Sequence, residues 1–237
     1  MMGSPDNDKE AYADEKPSRL VTISRPFYLG QYPVTQDAYE QEMGENPCRY
    51  RGKGPLPVET VSWFDSVGFC NRLSQKEGLE PFYEIHGQSV TVPDWRGLGY
   101  RLPTEAEWEF ACRGGTATRY SFGDETKSLG EYSWFGPNSG TRGQTRAVGT
   151  KEANPFGLYD MHGNIWEWCW DWYDENYYGQ GPPVDPIGPS QGERRVIRGG
   201  CCINTARDVR TAVRSRNVPS SRDPHRGFRV ARNEATK

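Results

Sequence analysis

Asn154-Pro-Phe-Gly-Leu-Tyr-Asp-Met-His-Gly-Asn-Ile-Trp-Glu-Trp-Cys-Trp-Asp-Trp172 decides how the rest of the chain is read. Its second half alternates: Trp166, Trp168, Trp170 and Trp172 are separated by Glu167, Cys169 and Asp171. A period of two is that of a strand, with four indoles on one face and polar groups on the other. Such a face can stack a sugar or a base. The preferred reading is core, because Trp buries a large area and its N–H finds a backbone acceptor.

Upstream, three helices announce themselves by their ends. Thr35 is an N-cap for a helix running to Met43 and stopped by Gly44. A second helix starts near Ser62 and runs to Lys76, with Trp63, Val67, Cys70 and Leu73 on one face and Gly78 as its stop. Thr104-Glu-Ala-Glu107 behind Pro103 is a capping box opening a short third helix, which carries Trp108, Phe110 and Ala111 and ends at Arg113-Gly-Gly115. Val21–Ile23 and Phe27–Gly30 read as a hairpin across an Arg-Pro break. Beyond residue 116 there is no helical period, only turns and short strands, clearest at Ile197 and Phe228–Val230. With 27 glycines and 18 prolines in 237 residues, a helical bundle is excluded and a loop-rich α+β domain is implied. Residues 1–18 read as a disordered polar tail and 19–237 as a single domain.

Charge is split along the chain. From Arg194 to Arg232 there are eleven arginines, no lysine and two acids, a balance of +9. The whole chain is −3 and residues 233–237 cancel, so residues 1–193 carry −12. Dense arginine suits nucleic-acid phosphates. These arginines, however, alternate with small and apolar residues, which favours a basic segment packed into an acidic body through bidentate pairs. Nucleic acid is therefore not the expected partner.

Enzyme signatures are sparse. There is no G-x-S-x-G, Walker loop or H-E-x-x-H, and His86, His162 and His225 are scattered. The six cysteines, at 48, 70, 112, 169, 201 and 202, form no CxxC pair. Asp160 and Glu167, with the carbonyls of Gly163 and Ile165 between them, offer oxygen ligands of the kind calcium prefers. An ion pair between Glu167 and a late arginine is the alternative. No window approaches 18 uninterrupted apolar residues, and Met1–Lys16 is charged with no apolar run, so no signal peptide is recognised there.

Arg101-Leu-Pro-Thr-Glu-Ala-Glu-Trp-Glu-Phe110, Asn154–Trp168, Arg198-Gly-Gly200 and Gly227-Phe-Arg-Val230 together resemble the formylglycine-generating-enzyme (sulfatase-modifying factor) family. The resemblance covers about residues 20–232 and implies a C-type-lectin-like fold with little regular secondary structure. It also implies a calcium site at Asp160, Gly163, Ile165 and Glu167. Catalytic members of that family oxidise a substrate cysteine with a copper-binding cysteine pair spaced i and i+5. Here Cys201 and Cys202 are adjacent, and the residue five beyond Cys201 is Ala206. The histidine cluster of the iron-dependent sulfoxide synthases is absent as well.

The segment from Arg198 to Val230 is more similar to the variable regions of retroelement-diversified display proteins, those of treponemes in particular. In that reading the arginines, alanines and glycines hold the frame. Cys201, Cys202, Ile203, Thr205, Asp208, Thr211, Val213, Ser215, Val218, Ser221, Asp223 and His225 form the ligand-binding surface. This resemblance implies a non-catalytic, monomeric binding protein that needs no cofactor beyond a structural calcium. Its target is an unidentified macromolecule, best a protein surface. The resemblance places it at the cell surface or exported, anchored through a leader that this sequence does not show, with the cytoplasm as the alternative. A copper-dependent formylglycine-generating oxidase of sulfatase cysteines is the alternative.

Overall fold

A computed structural model describes residues 1–140 and 143–235. The three expected helices form where their caps place them: α1 (Gln36–Met43), α2 (Trp63–Lys76) and α3 (Glu105–Arg113). The Thr35 hydroxyl accepts from the Ala38 N–H, and Gly44 closes α1 at φ 80°. Ser62 with Asp65, and Thr104 with Glu107, build reciprocal capping boxes at α2 and α3. The later helices, α4 (Leu129–Tyr132) and α5 (Tyr177–Gln180), are single turns.

The strands are short and make three sheets. β1 (Phe27–Leu29), β9 (Ala231–Asn233) and β4 (Tyr100–Arg101) form one in that order, all antiparallel. β2 (Glu84–His86) and β3 (Ser89–Thr91) form a hairpin. The central sheet has the order β7 (Arg214–Asn217), β6 (Arg195–Arg198), β5 (Trp166–Trp172) and β8 (Arg226–Gly227), and β5 pairs with β8 in parallel. This is an α+β architecture rich in loops.

The tryptophan strand β5 is interior on both faces. Its indole side packs under α2, where the Trp63 indole donates to the Cys169 carbonyl (2.9 Å) and Trp168 donates to the Val61 carbonyl (3.1 Å). Its polar side is the more deeply buried: Glu167, Cys169 and Asp171 are each at most 1% exposed. α3 covers that side and supplies donors, the Trp108 indole to Glu167 (2.6 Å) and the Glu105 N–H to Asp171 (2.7 Å). Carboxylates tolerate burial here because each meets donors in place of water.

Three sequence expectations are corrected. Residues 1–18 are not a disordered tail: Met2 bridges Arg19 and is buried with Ala106, Tyr177 and Tyr178, and Glu15 is fully buried. Val21–Ile23 and Phe27–Gly30 do not form a hairpin, because Phe27–Leu29 pairs with Ala231–Asn233 and Thr22 bridges Val184. Phe228–Val230 is the crossing between β8 and β9, which lie in different sheets. The expected domain end at 237 falls outside the described residues.

Candidate functional site

The late basic segment is threaded through the acidic body. Arg198 is fully buried; its guanidinium meets Glu109 at 2.5 Å and donates to the carbonyls of Thr211, Ala212 and Val213 (2.7–3.0 Å). Arg214 forks onto Glu105 at 2.7 and 2.8 Å and stacks on the Tyr178 ring. Arg229 forks onto Glu167 at 2.6 and 2.7 Å, and Arg210 onto Glu15 at 2.7 and 2.8 Å. Arg195 is buried and has no carboxylate partner among the described residues; it lies between the rings of Trp63 and Trp172 and donates to the Trp170 carbonyl. Burial pushes the Arg195 guanidinium down to about 9, against the pull of nearby Asp171. Arg226 packs over Trp168. Each fork satisfies two charges at once and fixes the backbone that carries the arginine.

Gly199 and Gly200 turn the chain out of β6. Both have positive φ, 98° and 75°, and a Cβ on Gly200 would stand 2.6 Å from Val209. The loop they launch holds the first of the twelve proposed binding positions. Ile203 is 53% exposed, and Thr205 is exposed beside it. Val218 is exposed on the next turn, while Asp208, Ser215, Ser221, Asp223 and His225 are half-buried. The His225 ring bonds the Gly143 carbonyl (2.8 Å) and lies against Tyr50, so residues 50 and 143 border this face.

The other four positions are corrected. Cys201, Cys202, Thr211 and Val213 are buried, at 0–3% exposure, and belong to the frame. The Cys201 thiol donates to Asn204 and the Cys202 thiol to the Gly143 carbonyl, and Thr211 donates to the carbonyls of Thr118 and Arg119. Conversely Arg194, Arg207, Arg216 and Arg222 are exposed, so the arginine class divides between frame and rim.

The N-terminal segment, missed as structure, closes one side of the site. Tyr12 donates to Asp208 (2.7 Å), its ring lies under Arg207, and Arg207 and Arg210 donate to the Glu10 carbonyl. Burial works against Asp208, yet bonds from Thr205 and Tyr12 hold its carboxyl below the ordinary range. The signal for this packing was present as an excess of acid: residues 1–18 hold Asp6, Asp8, Glu10, Asp14 and Glu15 against only Lys9 and Lys16.

The metal expectations fare differently. Both Glu167 oxygens face Arg229, and one also accepts from Trp108. Asp160 accepts from the Gly149 N–H and from Asn164, and the Gly163 carbonyl accepts from Ile165. Burial raises the Asp160 carboxyl above its ordinary value. Oxygens committed to protein donors, beside a guanidinium, do not form a calcium cage as arranged. Among the described residues no group of three or more His, Cys, Asp and Glu is placed to hold a metal. The i, i+5 cysteine pair that the resemblance implies for catalytic members does not start at Cys201, since the residue five beyond it is Ala206; burial raises the Cys201 thiol to about 12 and the Cys202 thiol to about 11.

Fold and site together define a C-type-lectin-like scaffold that carries a basic segment clamped by buried ion pairs. Residues 1–234 match the sulfatase-modifying factor enzyme 1-like domain, and the chain belongs to that family. Among solved structures it is similar to Treponema denticola variable protein 1, with a TM-score of 0.87, 35% identity, and coverage of 98% of this chain and 91% of that one. PvdO from Pseudomonas aeruginosa gives a TM-score of 0.80 at 29% identity, over 98% and 90% of the two chains. The formylglycine-generating enzyme of Streptomyces coelicolor is 43% identical over 76% of this chain and 54% of its own length. The chain thus spans about half of that enzyme. It spans 87% of the chaperone protein LppX of Paenibacillus barcinonensis, at 32% identity over 98% of this chain.

Proposed function

We propose that this chain is a non-catalytic display protein, diversified by a retroelement. Its segment from about 198 to 230 presents a variable binding surface on a fixed lectin-like frame. The observation that carries this reading is the division of labour within one segment. Arg198, Arg210, Arg214 and Arg229 are clamped to buried acids, while Ile203, Thr205 and Val218 between them face solvent. A surface on a pre-organised backbone loses little ordering entropy on binding. The ligand is a macromolecule, best a protein surface given the apolar Ile203 and Val218, and the setting is the cell exterior. Similarity to the Treponema denticola variable protein supports this assignment.

A library randomised at Ile203, Thr205, Val218 and Ser221 tests it. Most members are expected to keep their melting temperature within about 5 °C, and selection on immobilised lysozyme to yield binders. General collapse of the fold, or a folded library with no binders, would overturn the display reading. A reverse-transcriptase gene beside an adenine-rich near-copy of codons 198–230 would establish the source of diversity.

The second reading, formylglycine generation, is favoured by the 43% identity to the Streptomyces coelicolor enzyme. Copper-loaded protein incubated with a Cys-x-Pro-x-Arg peptide decides it: product aldehyde would make the chain an enzyme.

A further inference from the structure

A cavity of about 400 Å³ lies between residues 23–25, 93–107 and 185–187, with Asn233 at its edge. That volume suits a small molecule. Among the described residues no lining side chain comes from 198–230, so replacing the variable segment leaves the cavity's own side chains unchanged.

Its walls are held from behind. Asn233 donates to the carbonyls of Trp95 (2.8 Å) and Gly97 (2.9 Å), and the Arg96 N–H is bonded to Asp94. On the other side Asp185 accepts from both the N–H and the hydroxyl of Ser24. Trp95 is fixed by edge contacts with Phe82 and Trp170. At the floor, Arg101 forks onto Glu107 and bonds Asn233, which commits its donors.

Arg25 and Arg96 are different. Both are exposed, both line this cavity and an adjoining one of about 410 Å³, and the arginine ion pairs of the described residues engage other arginines. Asp94 and Asp185, which line the same cavity, accept backbone N–H bonds, and neither they nor Glu234 of the adjoining cavity forms an ion pair with Arg25 or Arg96 among the described residues. Two guanidinium forks with no carboxylate partner among the described residues, beside an indole and the apolar side chains of Ile23 and Ile187, match one ligand chemistry.

We propose that this cavity is a second binding site, constant where the display surface is variable, for a small organic carboxylate with a flat apolar body. The body lies against Trp95, Ile23 and Ile187, and the carboxylate is held by Arg25 and Arg96. This site does not depend on the display reading.

Isothermal titration with 2-naphthoate and with its neutral amide tests the proposal. Saturable binding of the acid is expected, with the amide at least about ten-fold weaker. The R25Q/R96Q double variant should lose about ten-fold in affinity for the acid, and a variant carrying Ile203→Ser and Val218→Ser none. Arg25 and Arg96 are exposed, so an unchanged melting curve checks that the double variant is folded. No saturation up to about 1 mM acid, equal binding of acid and amide, or full affinity in R25Q/R96Q would each overturn it.

Discussion

Arg198 and Arg222 have the same side chain, lie in the same segment and occupy opposite circumstances. Arg198 has no exposed side-chain surface and faces Glu109, itself fully buried, while Arg222 is 48% exposed beside Asp65. Around the first, α3 presents Glu105 and Glu109 to Arg113, Arg198 and Arg214 within one cluster. Around the second, an ion pair stands in water and contributes at most about 1 kcal/mol. Arginine is therefore not one signal in this segment. It fixes backbone where an acid has been buried to receive it, and elsewhere it is rim.

The largest effect should come from breaking the frame. Arg198→Ala leaves Glu109 without one of its guanidinium partners and frees the carbonyls of Thr211, Ala212 and Val213. Removing one member of a buried pair costs about 3–5 kcal/mol. Chemical denaturation of Arg198→Ala should show a loss of that size, and Arg222→Ala should lie within about 1 kcal/mol of wild type. Equal losses at the two positions would erase the distinction between frame and rim.

Acid should strike the frame next, through His162. One ring nitrogen bonds the Val209 carbonyl (2.8 Å), and the other accepts from Ser121. Burial pushes the imidazole from 6.5 down to about 4. The unfolded chain therefore takes up the proton first as pH falls. The neutral ring's contribution is whole above about pH 6.5, drains away between 6.5 and 4, and is gone below. The shift corresponds to about 3 kcal/mol. Buried Asp160 and Asp171, both raised by burial, tilt the profile the other way, so the informative quantity is the difference from His162→Gln. That difference should narrow between pH 6.5 and 4; a constant gap would place the ring in an environment that accepts its charge.

How far the sequence carried depended on the range of the forces involved. α1, α2 and α3 were legible to the residue because Thr35, Ser62 and Thr104 act on N–H groups within one turn. The need for acidic partners to the late arginines was legible as a charge imbalance. Which acids serve was not: Glu15 and Arg210 are 195 residues apart, and no local pattern links them. The same blindness turned residues 1–18 into a tail. The misplaced positions Cys201, Cys202, Thr211 and Val213 lie in a stretch of turns with no period to separate inside from outside. The carboxylates at 160 and 167 could be located as a pair, but only the fold brings Arg229 onto Glu167.

Two valines supply the finest test of the comparison. Val213 is 3% exposed and Val218 is 42% exposed, and both lie among arginines that look alike in sequence. Val213→Ser removes buried methyl groups and buries a hydroxyl beside the carbonyl that Arg198 already holds, at a cost of about 2–4 kcal/mol. Val218→Ser changes only a solvated side chain and should shift stability by no more than about 0.5 kcal/mol. If the display surface is built as argued, Val218→Ser changes what is bound and leaves the melting temperature alone, and Val213→Ser lowers the melting temperature whatever is bound. A Val218→Ser variant as destabilised as Val213→Ser would mean that the loop beyond β7 belongs to the frame, and the surface available for recognition would contract to the loop around Ile203.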